Sequence, residues 1–360
     1  MPKITVVITT YNLEAMIGAC LDELLAQTFQ DFNILVVDDK STDKTADIVS
    51  AYMARFPGRI STVLPEENLG SPSRTRNAAL DSGCIDGDYV IFLDGDDSIE
   101  PDFLESLYTL VVEADADIAM CAYERVDVET GRVLCVEMQG FPAVVDLPPV
   151  DDTISFFNVS VWNKLIRTAI IGDVRFPDFC AGEDLCFFLR LYANCNRIAL
   201  TERVLLHYRV RSASVTSNTP LEDIRAFAAE LAKLYYELRD GACSGVVNGD
   251  TGGAICGDAV FTDAVELLVF IHIGVSMALR ASDTPGINVR QQLSWTRLFF
   301  VEHFMLFKGS RFLRFGSLRR RGVRGLALWV CLLLYKLRSF GVFLFFYKLF
   351  RRVSRRDIKF

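Results

Sequence analysis

The chain opens on an apolar, β-branched run from Ile4 to Thr10, a pattern that predicts a strand buried on both faces. Leu13, Met16, Ile17, Cys20, Leu21, Leu24 and Leu25 recur at helical spacing, predicting an amphipathic helix to Gln27. Phe32 to Val37 reads as a second strand ending at Asp38-Asp39, and Ser41 or Thr42 caps a helix through Met53. Ile60 to Leu64 is a short third strand, and Gly70 to Leu80 is a loop feeding a helix. The fourth strand, Tyr89 to Leu93, stops abruptly at Asp94-Gly95-Asp96-Asp97. A helix from Asp102 to Glu113 and a strand from Asp117 to Val126 follow. Strands alternating with helices indicate βαβ units and a parallel sheet.

Beyond residue 127 the alternation loosens. Asp127 to Val136 reads as a polar hairpin, and Phe141 to Val150 as a Pro-rich connector. Asp184 to Ala193 is a helix with Leu185, Phe188, Leu189 and Tyr192 on one face. Three more helices are expected at Asp223–Arg239, Asp258–Arg280 and Val289–Phe307. Between the first two lies Gly241 to Gly257, rich in Gly, Asn, Asp and Ser, the composition of a mobile loop. The expected organisation is therefore an α/β domain over residues 1–220, a helical extension over 221–309 and a distinct tail over 310–360.

Charge sharpens the picture of that tail. From Lys308 to Phe360 there are fifteen Lys or Arg against one acid, Asp357. That is +14 within a chain of net charge -8, so the remainder carries -22. An acidic body argues against nucleic-acid binding, which needs basic charge on the folded domain. A basic, aromatic-rich tail suits an anionic membrane surface. Its apolar runs, Gly325–Tyr335 and Phe340–Phe346, are interrupted by Lys336 and Arg338. Both fall short of the roughly 20 apolar residues that a spanning helix needs, so helices lying in the interface are expected. The alternative is a docking surface for another protein or a second copy of the chain.

Ten cysteines at irregular spacing, with no CxxC pair, point to reduced thiols, and three histidines argue against zinc. Met1-Pro2-Lys3 runs directly into the first strand without a signal-peptide pattern. The expected location is cytoplasmic, peripheral on the inner face of the cell membrane.

The candidate chemistry gathers at strand ends, where open α/β sheets bind ligands. Clustered carboxylates repel one another, so Asp94, Asp96 and Asp97 suggest a divalent cation that shares its coordination with phosphate oxygens. A solvated acidic turn capping the next helix is the plainer alternative. Three further clusters fall on the same rim: Thr9-Thr10-Tyr11-Asn12, Asp38-Asp39, and Gly70 to Asn77 with Arg74 and Arg76. Tyr11 is suited to lie against a nucleobase, Asp39 to accept hydrogen bonds from base or ribose, and Arg74 or Arg76 to meet phosphate.

Taken together, Ile4 to Asn12, Asp38-Asp39 with Ser41-Thr42-Asp43, Asn68 to Asn77 and Asp94-Gly-Asp-Asp97 resemble glycosyltransferase family 2. Gly182-Glu183-Asp184 and Tyr208 to Thr216 extend the likeness to about residue 217. The resemblance implies a GT-A fold, a nucleotide-binding mixed α/β sheet with flanking helices, followed here by a helical extension. It implies that Thr9, Tyr11 and Asp39 contact the nucleoside, usually uridine, with Arg76 (or Arg74) near the nucleotide. Asp94 and Asp96 match the DxD motif that holds Mn²⁺ or Mg²⁺ with the donor diphosphate. His207 is a further candidate ligand. Asp184 matches the general base of inverting members, while Glu183, Trp162 and Lys164 line the acceptor side. Partners so implied are a nucleotide-sugar donor and a lipid-linked or polysaccharide acceptor, in cell-envelope, capsule or exopolysaccharide synthesis.

Rival readings leave residues idle. A haloacid-dehalogenase-like phosphatase uses an Asp-x-Asp but has no work for Tyr11 or Asp39. A sugar nucleotidyltransferase would carry a Gly-rich basic loop where Tyr11-Asn-Leu-Glu-Ala-Met stands. A dinucleotide oxidoreductase fails for want of GxGxxG after the first strand. An inactive sugar-binding relative has no need to retain Asp94, Asp96 and Asp184 together.

Overall fold

The computed structural model describes residues 2–179, 181–210, 220–241, 255–284 and 286–354. They divide into two compact units, residues 2–148, 157–179, 181–210 and 255 in the first and 149–156, 220–241, 256–284 and 286–354 in the second. The expected extension (221–309) and the described part of the tail (310–354) thus fall in one unit. Most of the loop expected over 241–257 lies outside the described residues.

The first unit is built in chain order from β1 (Ile4–Thr10), α1 (Ile17–Leu25), β2 (Phe32–Asp38), α2 (Thr45–Arg55), β3 (Ile60–Val63), α3 (Pro72–Asp81) and β4 (Tyr89–Asp94). There follow β5 (Ser98–Ile99), α4 (Phe103–Glu113), β6 (Ile118–Asp127), β7 (Val133–Glu137), β8 (Val144–Asp146), β9 (Lys164–Arg167), α5 (Glu183–Ala193) and β10 (Arg197–Val210). All ten strands join one sheet, in the order β3-β2-β1-β4-β9-β6-β10-β5, with β7 on β6 and β8 on β10. The run β3-β2-β1-β4 is parallel, as expected. The far half is mixed, because β9 runs antiparallel between β4 and β6.

Burial explains which strands form the centre. Ile4, Val6, Val7 and Ile8 of β1 and Val90 and Ile91 of β4 have no exposed surface, as strands covered by helices on both faces require. The β6–β7 hairpin sits where Asp127 to Val136 predicted one. Four strands depart from the expected pattern. β5, β9 and β10 were not anticipated, and β8 lies inside the connector expected to be irregular. The start of α2 also differs: its N-cap is Lys44, with no capping side chain, while Ser41 bonds to Asp38 instead.

The second unit contains a 3-10 turn at Thr153–Phe156, α6 (Leu221–Arg239), α7 (Ala259–Val269), α8 (Met277–Asp283), α9 (Val289–Phe304), α10 (Phe315–Leu318), α11 (Gly322–Lys336) and α12 (Phe340–Ser354). A π-helical segment, Phe270–Ser276, joins α7 to α8. That joined helix is the one among the described residues long and apolar enough to cross a membrane, and most of it is buried within the protein. An aromatic core ties the unit together: Tyr335 lies against Phe270, Phe300 and Phe340, and its hydroxyl donates to the Gly274 carbonyl at 2.7 Å. The inner faces of α11 and α12 are therefore core, which the expectation of purely interfacial helices did not include.

Seven described cysteines are free, whereas Cys256 is disulfide-bonded. The latter departs from the expectation of reduced thiols throughout; irregular spacing conceals a single bridge, since pairing depends on the fold and not on sequence separation.

Candidate active site

Strand register assembles the site. Thr10 is opposite Asp38 across β1–β2, and Thr9 is opposite Asp94 across β1–β4. The carboxyl ends of three adjacent parallel strands therefore deliver hydroxyls and carboxylates to one rim. Thr9 Oγ1 donates to Asp94 Oδ1 at 3.3 Å. Gly95 lets the β4 end pass close to the start of α1 and the turn before it: a Cβ there would lie 3.0 Å from Leu13 Cδ1 and 3.4 Å from Ile17 Cδ1.

Asp39 organises the loop after β3. Its carboxylate is buried and accepts from the backbone N–H groups of Leu69 (2.6 Å) and Gly70 (3.1 Å), while Asn68 Nδ2 donates to its carbonyl at 2.6 Å. Asp39 thus fixes the loop that enters α3. Tyr11, just past β1, remains 48% exposed, leaving its ring available to a planar ligand.

Arg76 occupies the centre. Carried on α3, its side chain is 4% exposed and reaches three carboxylates. Nη2 donates to Asp94 Oδ1 at 2.9 Å, Nη1 donates to Asp184 Oδ1 at 3.1 Å, and Glu183 Oε1 is 3.7 Å from Nη1. Burial opposes the guanidinium charge, but the charges of Asp184, Asp94 and Glu183 outweigh it and raise its pKa. Nη1 and Nη2 thus each meet a protein carboxylate where the sequence reading expects phosphate, while Nε is buried without a hydrogen-bond partner. Arg74, its alternative, forks onto Asp178 at 2.7 and 2.5 Å.

Glu183 and Asp184 open α5 behind Gly182, whose φ of 91° lies in the left-handed region that favours glycine. Burial raises the Asp184 carboxyl, with Arg76 opposing, Asp94 adding to the rise, and Lys164 opposing. Burial and the neighbouring Asp184 charge push Glu183 up to about 7, against Arg76. A carboxylate raised in this way is a stronger proton acceptor than a solvated one.

Lys164 begins β9 and is fully buried; its Nζ donates to Asn163 Oδ1 at 2.8 Å and to the Ser160 carbonyl at 2.5 Å, and lies 4.8 Å from the Phe188 ring. Burial lowers its pKa to about 7, while Asp184 pulls the other way. Trp162 is buried too, stacked on Tyr208 at 5.4 Å and edge-on to Tyr123 at 4.5 Å. It therefore shapes the wall behind the site and leaves little ring surface for a ligand.

His207 is not placed as a metal ligand. Its Nδ1 is 2.8 Å from Glu124 Oε1 and its Nε2 is 2.8 Å from Glu100 Oε1, so both ring nitrogens are engaged by carboxylates. Neither acid stood out in the sequence, because their partner is reached only through the β10 pairing with β5 and β6.

The donor chemistry at the end of β4 fits a divalent cation. Asp97 Oδ2 is buried without a hydrogen-bond partner, and burial plus the charges of Asp94 and Asp96 hold its carboxyl well above the usual range. Among the described residues, no three His, Cys, Asp or Glu side chains gather to hold a metal alone. A cation here would need further oxygen ligands from outside the protein. A hollow of about 500 Å³ lies at the opposite sheet end by Lys3, Asp88, Tyr108 and Arg167, away from every candidate residue. Carboxylate chemistry, not volume, locates the site.

The family model for glycosyl transferase family 2 matches residues 5–138. Glycosyltransferase GlyA of Streptococcus pneumoniae is 31% identical over 59% of the chain and 31% of its own length; GlyG of the same organism is 30% identical over 59% and 72%. Poly(ribitol-phosphate) beta-N-acetylglucosaminyltransferase TarS of Staphylococcus aureus is 30% identical over 64% of the chain and 41% of its length. The chain thus spans less than half the length of GlyA and TarS. The crystal structure of TarS 1–349 in complex with UDP-GlcNAc superposes with a TM-score of 0.68 at 22% identity, over 94% of this chain and 92% of that one. The shared feature at that identity is the fold.

Proposed function

Because the chain belongs to glycosyltransferase family 2 and has its GT-A fold, we propose that it moves a sugar, with inversion, from a UDP-linked donor to a lipid-linked or polysaccharide acceptor. The observation that carries this reading is the Arg76 bridge between Asp94, at the end of β4, and Asp184, at the start of α5. It holds a donor-side carboxylate and a base-competent carboxylate within reach of one side chain.

Tyr11, Thr9 and the loop fixed by Asp39 would seat the nucleoside. Asp94 and Asp96 would hold Mn²⁺ or Mg²⁺, which when bound neutralises charge on the departing diphosphate. Asp184 would accept the proton of the acceptor hydroxyl as that oxygen bonds to the anomeric carbon, on the face opposite the breaking bond to diphosphate. Arg76 keeps Asp184 oriented, and buried Lys164 adds positive charge that favours its ionised form. Glu183 belongs to the acceptor side, with buried Trp162 packed behind it.

The complex of TarS with UDP-GlcNAc supports a uridine donor, and the polymer named for TarS supports a cell-envelope or polysaccharide acceptor. The family match leaves the phosphatase and nucleotidyltransferase readings without support. The basic C-terminal helices would hold the enzyme peripherally at the cytoplasmic face of the membrane. Thermal-shift titration with UDP, GDP and their sugars, with and without Mn²⁺, tests the donor: stabilisation by UDP compounds that Asp39→Ala removes is expected. A preference for GDP compounds, or no response to UDP, would overturn it.

A further inference from the structure

We propose that the outward face of α11 is a docking surface that lies at the headgroup–acyl boundary of an anionic bilayer. The helix is apolar on two sides. Its inner side, Leu328, Cys331, Leu332 and Tyr335, is buried in the second unit. Its outer side presents Val323, Leu326, Val330, Leu333 and, at the C-cap, Leu337, all exposed, Val323 by 87% and Leu337 by 63%. Their spacing of three and four residues draws a continuous stripe along a helix of fifteen residues, about 22 Å long.

Such a stripe fits either a second helix or a lipid interface, and charge decides between them. Arg324 and Lys336 on α11 and Arg319, Arg320 and Arg338 at its ends are exposed. Residues 308–354 contain twelve Lys or Arg and no acid. Two copies joined along this face would bring like charges together. An anionic bilayer reverses the sign, each basic residue near its surface strengthening binding about fivefold. A hydrophilic polyanion would satisfy the arginines but leave the stripe in water. Fifteen residues are too few to span a membrane, for which roughly 20 are needed, so the helix lies along the surface.

The inference deepens the membrane-facing part of the proposed function and rests on it; donor chemistry is independent. The test is flotation of the full chain with vesicles of phosphatidylcholine alone or mixed with phosphatidylglycerol, beside donor hydrolysis in solution. The wild type is expected to float with the mixed vesicles only. Combined Leu326→Ser, Val330→Ser and Leu333→Ser should lower partition at least about tenfold, and Arg320→Gln with Arg324→Gln and Lys336→Gln should remove its salt dependence. Hydrolysis should be unchanged in both. Should the serine variant unfold, Leu333→Trp serves in its place and should tighten binding. Failure of the wild type to float, or flotation indifferent to these changes, overturns the docking face alone. A dimer that the serine variant dissociates, with flotation unaltered, overturns it in favour of a second copy. A floating protein with no affinity for UDP compounds would instead sink the proposed function.

Discussion

Asp94 and Asp184 share one guanidinium: Arg76 donates to an oxygen of each, at 2.9 and 3.1 Å, from a side chain that is 4% exposed. One residue sits on a strand end and the other 90 positions later on a helix start, so Arg76 fixes the spacing between the two halves of the proposed chemistry.

Arg76→Met should therefore be severe. Removing the cation leaves three carboxylates facing one another, a loss of about 2–4 kcal/mol, toward the lower end because Asp94 remains 32% exposed and partly screened. A fall in melting temperature with loss of turnover is expected. A variant that melts like the wild type would show that the bridge carries no structural weight.

Asp184→Asn keeps the shape and the Arg76 contact but removes the base. Turnover should fall about 10²–10⁴-fold, while UDP affinity by calorimetry stays within a few-fold. A large loss of UDP affinity would move Asp184 to the donor side.

Glu183 and Lys164 each set a pH dependence. Glu183 has a folded pKa of about 7, above its ordinary 4.5, so the native state holds more protons between those values and stability falls as pH rises through that window. Lys164 has a folded pKa of about 7, below its ordinary 10.5, so the unfolded state holds more protons above 7 and stability rises toward pH 10. Melting temperature should pass through a minimum near neutrality. Glu183→Gln should flatten the acid limb and Lys164→Met the alkaline one; unchanged limbs would refute the assignment.

In the second unit, Gly274 lies in the π-helical segment, where a Cβ would meet Phe270 at 2.9 Å and Phe300 at 3.1 Å. Gly274→Ala should destabilise by about 1–3 kcal/mol. Tyr335→Phe should cost about 1–3 kcal/mol, by leaving the Gly274 carbonyl without its donor. Denaturant midpoints check both, and a neutral Gly274→Ala would mean that the rings readily shift.

The first four strands and the rim they share were legible because continuous β-branched runs end at Thr10, Asp38 and Asp94, features that need no distant partner to be recognised. β10 was hidden for a physical reason. Its register shifts between Thr201 and Leu206 break the two-residue alternation, and its partners β5, β6 and β8 come from 51 to 109 residues earlier. Arg76 was legible as a charge near the site, but only packing shows that it faces Asp94, Glu183 and Asp184. For His207 the residue type suggested metal binding, and the two glutamates that engage it were invisible without the sheet.

The reversed direction of β9 has an evolutionary corollary. Since Arg167 lies opposite Tyr89, this strand enters at the rim where its neighbours leave, with Lys164 at its start and Trp162 just before it. On the proposed function, acceptor preference can be retuned through insertions near residues 157–163 while the turns after β1 and β2 stay as they are. On that assignment, one inverted strand lets the two substrate halves diversify independently.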